Sequence, residues 1–229
     1  MAERLNEAGQ PIGWPVAQDL PRPRPEAIRL AGRYCSLVPL DVEAHGAELW
    51  QAFSADVSGA NWTYLPIGPY EAEADFTAFL RKAEVSSDPL YYTVLNAEGR
   101  AVGHATFLRI DPANGVIEVG FIHFSPLMQR TALSTEAMYL MMRYVFETLG
   151  YRRYEWKCDA LNAPSIAAAK RLGFTFEGIF RQAVVYKGRN RDTAWLSILD
   201  SEWPVLKTRF ERWLEAENFD AQGRQKTSL

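Results

Sequence analysis

The chain has 229 residues, of which 48% are hydrophobic and 13% aromatic, so it can bury a sizeable core. Its formal net charge of −3 at pH 7 excludes a bulk positive field of the kind that binds nucleic acid or anionic membranes. The N-terminus carries charge but no apolar segment, and no run of about 18 apolar residues follows. We therefore expect a cytoplasmic protein that does not span a membrane.

Cysteine and histidine are sparse. Cys35 and Cys158 form no CxxC pair, which predicts reduced thiols and no disulfide framework. The histidines are scattered, and His104 and His123 fall in predicted strands, so the sequence predicts no metal site.

A proline-rich N-terminal arm, residues 1–30, precedes the regular elements, and its five prolines between positions 11 and 25 disfavour helix and strand alike. Trp14 is a candidate anchor for the arm, and the alternative is a flexible arm without an anchor. Apolar runs predict strands over 33–40, 89–96, 101–112, 116–126 and 151–159, and two more within 174–199. Helical spacing of apolar residues predicts helices over 41–54, 68–85, 135–150, 163–173 and 201–219. We expect a single domain over 31–219, one mixed α/β sheet with helices on both faces, and a flexible tail over 220–229.

The stretch that follows strand 116–126, "SPLMQRTALSTEA", leads directly into a helix. Free backbone N–H groups and the helix dipole favour an anion at such a turn, and Arg130, Ser134 and Thr135 would add donors. The alternative is an ordinary turn in which Ser134 or Thr135 caps the helix.

A second strand–turn–helix unit follows in "RRYEWKCDALNAPSIAAAKRLGF", residues 152–174. Asn162 stands at the expected N-cap, Pro164 fits the first turn, Ser165 stands at N3 and Gly173 closes the helix. Taken alone, this pattern indicates helix capping.

The succession of both units, with "TEA" opening one helix and then "N–x–x–S" and "LGF–x–x–EG", resembles the core of the GNAT N-acetyltransferases. It is most similar to their RimJ/RimL-like branch, and the resemblance covers roughly residues 30–200. The resemblance implies the GNAT (acyl-CoA N-acyltransferase) fold, a mixed, mostly antiparallel sheet with helices on both faces and a splayed cleft. It also implies an N-acetyltransferase that uses acetyl-CoA (CoA).

The resemblance implies that strands 116–124 and 152–158 separate around acetyl-CoA. The turn at 129–135 would bind the pyrophosphate, Asn162 the pantetheine arm, and Ser165 would face the thioester sulfur. The implied cofactor-binding residues are Phe121, Ile122, His123, Phe124, Gln129, Arg130, Thr131, Ala132, Leu133, Ser134, Thr135, Asn162 and Ser165.

The chain departs from the family at two places. The family turn usually reads Q/R–x–x–G–x–G/A, whereas this chain has Leu127, Arg130 and Ala132 at those three positions. A tyrosine that many members carry eight residues after the motif asparagine is Lys170 here, which favours Ser165 as the group beside the sulfur.

Catalysis requires a base, because an alkyl ammonium has a pKa of about 10.4 and attacks only when neutral. Glu118 is the preferred candidate: strand alternation places it on one face with Gly120 and Ile122, so we expect an apolar pocket that raises its pKa.

Glu155 is the second candidate base. Its alternative role is an ion pair with Arg153 or Lys157, which share its strand face. A backbone N–H of strand 121–124 would stabilise the oxyanion.

The strands within 180–195 are expected to border the pocket of a small-molecule or peptide amine. The candidate acceptor-binding residues are Trp62, Tyr64, Tyr186, Asp192 and Trp195. Asp192 could instead pair with Arg189 or Arg191, and the two aromatic residues near position 63 could be a hydrophobic plug. The negative net charge favours a cationic acceptor.

Two other function classes remain open on the sequence. One is a non-catalytic, GNAT-like module that senses acyl-CoA. The other is an interaction protein in which the proline-rich arm tethers a homodimer.

Overall fold

The computed structural model describes residues 4–229. The strands are β1 Arg4–Leu5, β2 Pro11–Ile12, β3 Leu30–Ala31, β4 Ser36–Pro39, β5 Leu90–Leu95, β6 Ala101–Asp111, β7 Val116–Phe124, β8 Arg153–Asp159, β9 Thr175–Tyr186 and β10 Arg189–Leu199. The helices are α1 Val42–Ser54, α2 Glu73–Glu84, α3 Ala132–Arg143, α4 Ala163–Arg171 and α5 Trp203–Trp213. From β4 onward, this is the predicted order of elements.

One eight-stranded sheet organises the chain, in the order β3-β4-β5-β6-β7-β8-β10-β9. Neighbouring strands are antiparallel except β7 and β8, which are parallel because helix α3 carries the chain back across the sheet. The predicted fold class, a mixed and mostly antiparallel sheet with helices, is confirmed.

Two hydrophobic clusters cover the two faces of the sheet. The larger one packs α3, α4 and α5 against the sheet and includes Met141, Tyr154 and Phe210. The smaller one packs α1 and α2 and includes Phe53 and Phe76. Full burial of each such side chain contributes about 1.5–3 kcal/mol, so apolar contacts hold both helical layers against the sheet.

Several predicted bounds were wrong. Helix α3 begins at Ala132 and not at 135, so the predicted 129–135 turn includes the helix's first residues. The α-helix ends at Arg143, and one wider helical turn, Tyr144–Thr148, continues it towards the predicted end. Gly150 then takes a left-handed φ of 67°. Helix α2 begins at Glu73 and not at 68, because Gly68 takes φ 59° and cannot continue a helix.

The N-terminal arm is bound to the body by residues 18–28, and residues 1–3 lie outside the described part. The Glu26 N–H donates to the Tyr144 hydroxyl at 3.0 Å, and the Tyr92 hydroxyl donates to the Glu26 carbonyl at 2.7 Å. Trp14 is 57% exposed, so it does not anchor the arm as the sequence suggested.

The C-terminal residues fold back onto helix α5. Helix α5 ends at Trp213, earlier than predicted, and the Trp213 indole donates to Gln225 at 3.0 Å. The Lys226 N–H donates to the Asn218 carbonyl at 2.7 Å. Among the helices of residues 4–229, none combines the length and apolar character that crossing a bilayer requires.

Candidate active site

Strands β7 and β8 separate halfway along their length. They pair from Val116↔Arg153 to Val119↔Trp156, and the pairing then ends. At this point β7 carries a bulge, because Gly120 faces Thr106 and His123 faces His104, so two β7 residues oppose one residue of β6. Phe121, in the bulge, has a φ of 44°. The bulge turns the end of β7 away from β8 and opens a cleft.

The cleft holds a cavity of about 1620 Å³, which we call the donor cavity. Twelve of the thirteen predicted cofactor-binding residues line it: Ile122, His123, Phe124, Gln129, Arg130, Thr131, Ala132, Leu133, Ser134, Thr135, Asn162 and Ser165. The thirteenth, Phe121, lines a second cavity instead. The C-terminal residues Trp213, Phe219 and 222–225 also line the donor cavity, a role that the sequence did not suggest.

The turn at the N-terminus of α3 leaves donors available. Arg130 takes φ 60°, the left-handed conformation that the family glycine would supply. Ser134 donates to the Thr131 carbonyl at 2.9 Å, and Thr135 accepts from Arg171 at 3.1 Å. Neither residue caps the helix, and among the described residues no side chain does. An uncapped helix N-terminus beside an arginine suits an anion.

The mouth of α4 forms the opposite wall. Asn162 is the N-cap, as predicted, and its side-chain oxygen accepts the Ser165 N–H at 3.1 Å. The Ser165 hydroxyl oxygen accepts from the Trp156 indole at 2.9 Å. Burial raises the pKa of the Cys158 thiol, and a hydrogen bond with Ser165 opposes that rise. The serine hydroxyl is therefore held between two side chains of β8.

The second cavity, of about 450 Å³, is lined by residues of β7, β8, β9 and β10, and we call it the acceptor cavity. It shares five lining residues with the donor cavity: Asn61, Ile122, Trp156, Asn162 and Ser165. Tyr64 reaches over it, and its hydroxyl donates to the Leu161 carbonyl at 3.1 Å. The two cavities therefore meet along these five residues, and Ser165 is one of them.

An ion network occupies the floor of the acceptor cavity. Lys157 Nζ lies 2.8 Å from Glu118 and 2.6 Å from Glu155, and Arg109 lies 3.2 Å from Glu118. Arg153 lies 2.6 Å from Glu155, so both ion pairs suggested for Glu155 are present. Burial raises the pKa of Glu118, and the charge of Lys157 opposes that rise.

The expected apolar setting of Glu118 was wrong, although the expected direction of its pKa was right. The bulge adds one residue to β7, so Ile122 packs against the larger hydrophobic cluster while Phe121 packs against the smaller one. Glu118 and Ile122 therefore do not share a strand face, and cations surround Glu118.

Three predicted acceptor-binding residues, Tyr64, Tyr186 and Trp195, line the acceptor cavity, and two do not. Trp62 is buried in the smaller cluster, with its ring 4.0 Å from that of His123, and so matches the plug alternative. Asp192 accepts the Gln182 N–H at 2.8 Å and the Asn190 amide at 2.9 Å, which supports the β9–β10 ladder. It is directed neither to the acceptor nor to an arginine.

The sequence reasoning missed several wall residues. Asn61, Trp156, Arg191 and Thr193 line the acceptor cavity, as does Lys157, which had been considered only as an ion-pair partner. The alternation Arg191–Thr193–Trp195 in a predicted strand was the available signal, because alternate residues share a face.

The comparisons with known proteins agree with this geometry. The family described as "Acetyltransferase (GNAT) domain" matches residues 36–175. A GCN5-related N-acetyltransferase from Brucella melitensis is 50% identical, with a TM-score of 0.91 over 93% of this chain and 97% of that one. The uncharacterized N-acetyltransferase YnaD of Bacillus subtilis is 27% identical over 67% of this chain and 89% of its own length.

A likeness to RimL, a ribosomal L7/L12 α-N-protein acetyltransferase, shows a shared fold, with 19% identity and a TM-score of 0.66 over 79% of this chain and 99% of that one. The matched family spans most of the sheet and both walls of the donor cavity. This chain belongs to the GNAT acetyltransferase family and is an acyltransferase enzyme.

Proposed function

We propose that this enzyme moves an acetyl group from acetyl-CoA to a primary amine by direct attack within a ternary complex. The observation that carries the proposal is the meeting of the donor and acceptor cavities at Ser165. Two substrates that enter from opposite sides of the β7–β8 junction would meet there. In this proposal the acceptor is a small-molecule amine or a peptide α-amine, and the chain belongs to the RimJ/RimL-like branch that its motifs resemble.

The donor cavity fits acetyl-CoA by size and by chemistry. Its uncapped helix N-terminus and the cation of Arg130 suit the pyrophosphate. The end of β7, which no longer pairs with β8, suits the amides of the pantetheine arm, and Asn162 would hold the same arm. Acetyl-CoA would supply the thioester. The amine nitrogen would add to its carbonyl carbon, and the carbon–sulfur bond would break when the resulting oxyanion collapses and releases the thiol of CoA.

Glu118 is the favoured base because it lines the acceptor cavity and is 5% exposed, with a pKa raised by burial. It would take the proton that the amine must lose. Glu155 is the register partner of Glu118 on β8 and does not line the acceptor cavity. It is paired with both Lys157 and Arg153, so it is better placed to orient Lys157 than to meet an amine.

Ser165 is the favoured group at the sulfur position. Its oxygen accepts from Trp156, so its O–H is the donor that remains, shared between Cys158 and a group at the junction of the cavities. It would hold that proton at the junction of the cavities, while backbone N–H groups of residues 121–124 would receive the developing oxyanion.

Thermal unfolding with acetyl-CoA, desulfo-CoA and adenosine tests donor binding. A ligand at a hundredfold excess over its Kd adds about 2.7 kcal/mol to the free energy of unfolding, so we expect a clear rise in Tm with acetyl-CoA and little with adenosine. An unchanged Tm at millimolar acetyl-CoA would contradict the assignment of the donor cavity.

CoA release in the presence of an amine panel tests the roles. We expect Glu118→Gln to lower kcat by about a hundredfold or more, the usual contribution of a general base, while the acetyl-CoA Tm shift persists. Glu155→Gln is the matched control on the neighbouring strand and should have a smaller effect. Equal turnover by Glu118→Gln and the unaltered enzyme would remove Glu118 from the mechanism.

A further inference from the structure

Strand β10 presents three donors without partners to the acceptor cavity. Arg191 Nε, Thr193 Oγ1 and Trp195 Nε1 are buried atoms for which residues 4–229 offer no hydrogen-bond partner. All three residues line the acceptor cavity, and they are alternate residues of one strand. The donors therefore form a row along one wall.

Three other buried indoles, on β8 and in α5, do have partners. Trp156 donates to Ser165, Trp203 to Glu147 and Trp213 to Gln225, at 2.9, 3.1 and 3.0 Å. A buried donor without a partner costs free energy, and native folds seldom leave several together. The row on β10 is therefore expected to be completed by a ligand.

The charges of the cavity wall point to the sign of that ligand. Arg109 and Lys157 are paired with Glu118, whereas within the described residues Arg191 forms no ion pair with a carboxylate. The lining contains these three cations and, among the described residues, the carboxylate of Glu118, while Glu155 pairs with Lys157 from outside the lining. With both carboxylates counted, the charge of Arg191 remains without a counter-charge in the described part of the chain. An excess of positive charge disfavours the cationic acceptor that the net charge of the chain suggested.

We infer that Arg191, Thr193 and Trp195 form a subsite for the carboxylate of the acceptor, which is then a small amino acid-like molecule carrying an amine and a carboxylate. This inference rests on the proposed acetyl transfer. A guanidinium binds a carboxylate through charge-assisted hydrogen bonds, and the hydroxyl and indole add neutral donors. The cavity of about 450 Å³ is within the usual range for small ligands of about 300–1,000 Å³.

Matched acceptors test the subsite directly. CoA release is measured with the free L-amino acids and with their α-carboxamides, which keep the amine and lose the negative charge. Isothermal titration of the same pairs into the protein–CoA complex gives binding separately from turnover. We expect at least one free acid to exceed its carboxamide by about tenfold or more in kcat/KM and in affinity.

Variants of the wall then assign the effect. Arg191→Gln should raise KM for the acid by about ten- to a hundredfold, the loss expected for a charge-assisted hydrogen bond, and leave KM for the carboxamide within about twofold. Arg191→Lys should restore part of the loss because it keeps the charge. Arg181→Gln, an exposed arginine on the adjacent strand β9, is the matched control and should change neither.

The Thr193→Val variant shows whether a rise in KM comes from the subsite or from a less stable fold. The Thr193 hydroxyl has no partner in the described fold, so removing it should not lower Tm, yet KM for the acid should rise about threefold or more. Acids and carboxamides that bind and react alike, or an Arg191→Gln variant that weakens both alike, would overturn the subsite. An enzyme that acetylates no amine and gains no stability from acetyl-CoA would instead overturn the proposed function.

Discussion

Arg130 holds the backbone in a conformation that side chains rarely adopt. Its φ of 60° lies in the left-handed region, where an L-residue pays a steric penalty that glycine does not. The turn therefore keeps the path that leads into α3 although its residue type differs from the family pattern. The departure seen in the sequence changes the side chain and leaves the course of the backbone intact.

Two substitutions distinguish the effect of the Arg130 backbone conformation on stability from the effect of its charge on binding. We expect Arg130→Gly to be about 1 kcal/mol more stable than Arg130→Ala in urea unfolding, because a positive φ strains alanine but not glycine. Both variants lose the guanidinium, so both should bind acetyl-CoA more weakly by a similar factor that shrinks at high salt. An alanine variant as stable as the glycine variant would show that the turn is not strained.

At the scale of the elements, strands β6 and β7 bury two facing histidines. His104 pairs with His123 across the ladder, and the His123 ring stacks on Phe53 at 3.8 Å. Burial lowers the pKa of His104 to about 4 and that of His123 to about 2. Both rings are therefore neutral in the folded protein at all but strongly acid pH.

Acidification should destabilise the fold through these rings. The unfolded chain gains protons near pH 6.5, whereas the folded chain takes them up only near pH 4 and pH 2, so stability is lost as pH falls through this window. The slope is about 1.4 kcal/mol per pH unit for each histidine between the two pKa values. Urea unfolding between pH 7 and pH 4.5 should show a smaller slope for His123→Phe.

His45 provides the control for this measurement. It is partly exposed on α1, so His45→Gln should reduce the slope less than His123→Phe does. A His123→Phe variant with the same acid slope as the unaltered protein would mean that His123 does not contribute to the loss of stability.

The limits of sequence reasoning are clearest at this scale. The N-cap Asn162 was predicted because capping depends on residues three positions apart. The bulge at Phe121 was not, because it arises from the register of β7 against β6, a relation between distant segments. The prediction that Ile122 shares a strand face with Glu118 was wrong for that reason. The role of Asp192 was also wrong, because its partner Gln182 lies across a hairpin.

At the scale of the whole molecule, the N-terminal arm completes the buried surface. Tyr92 and Tyr144 are 0% and 4% exposed, and both hydroxyls bond with the backbone of Glu26. Residues before 18 contribute little to this contact, as the exposure of Trp14 indicates. The arm therefore has an attached part and an outer part.

Two truncations test this division. Removing residues 1–17 should change the free energy of unfolding by less than about 0.5 kcal/mol, as most surface changes do. Removing residues 1–28 should lower it by about 2 kcal/mol or more, because two buried hydroxyls lose their partners. Light scattering on the same variants tests whether the arm tethers a homodimer. Equal stability of both truncations would contradict the attachment of residues 18–28.

The parting of β7 and β8 has a mechanical consequence. By its own hydrogen bonds the sheet is two half-sheets, one of five strands from β3 to β7 and one of β8, β10 and β9, joined by four residue pairs. A molecule that lies along the unpaired end of β7 and reaches the N-terminus of α4 would bridge the two half-sheets. Under the proposed function, bound acetyl-CoA would therefore also stiffen the sheet.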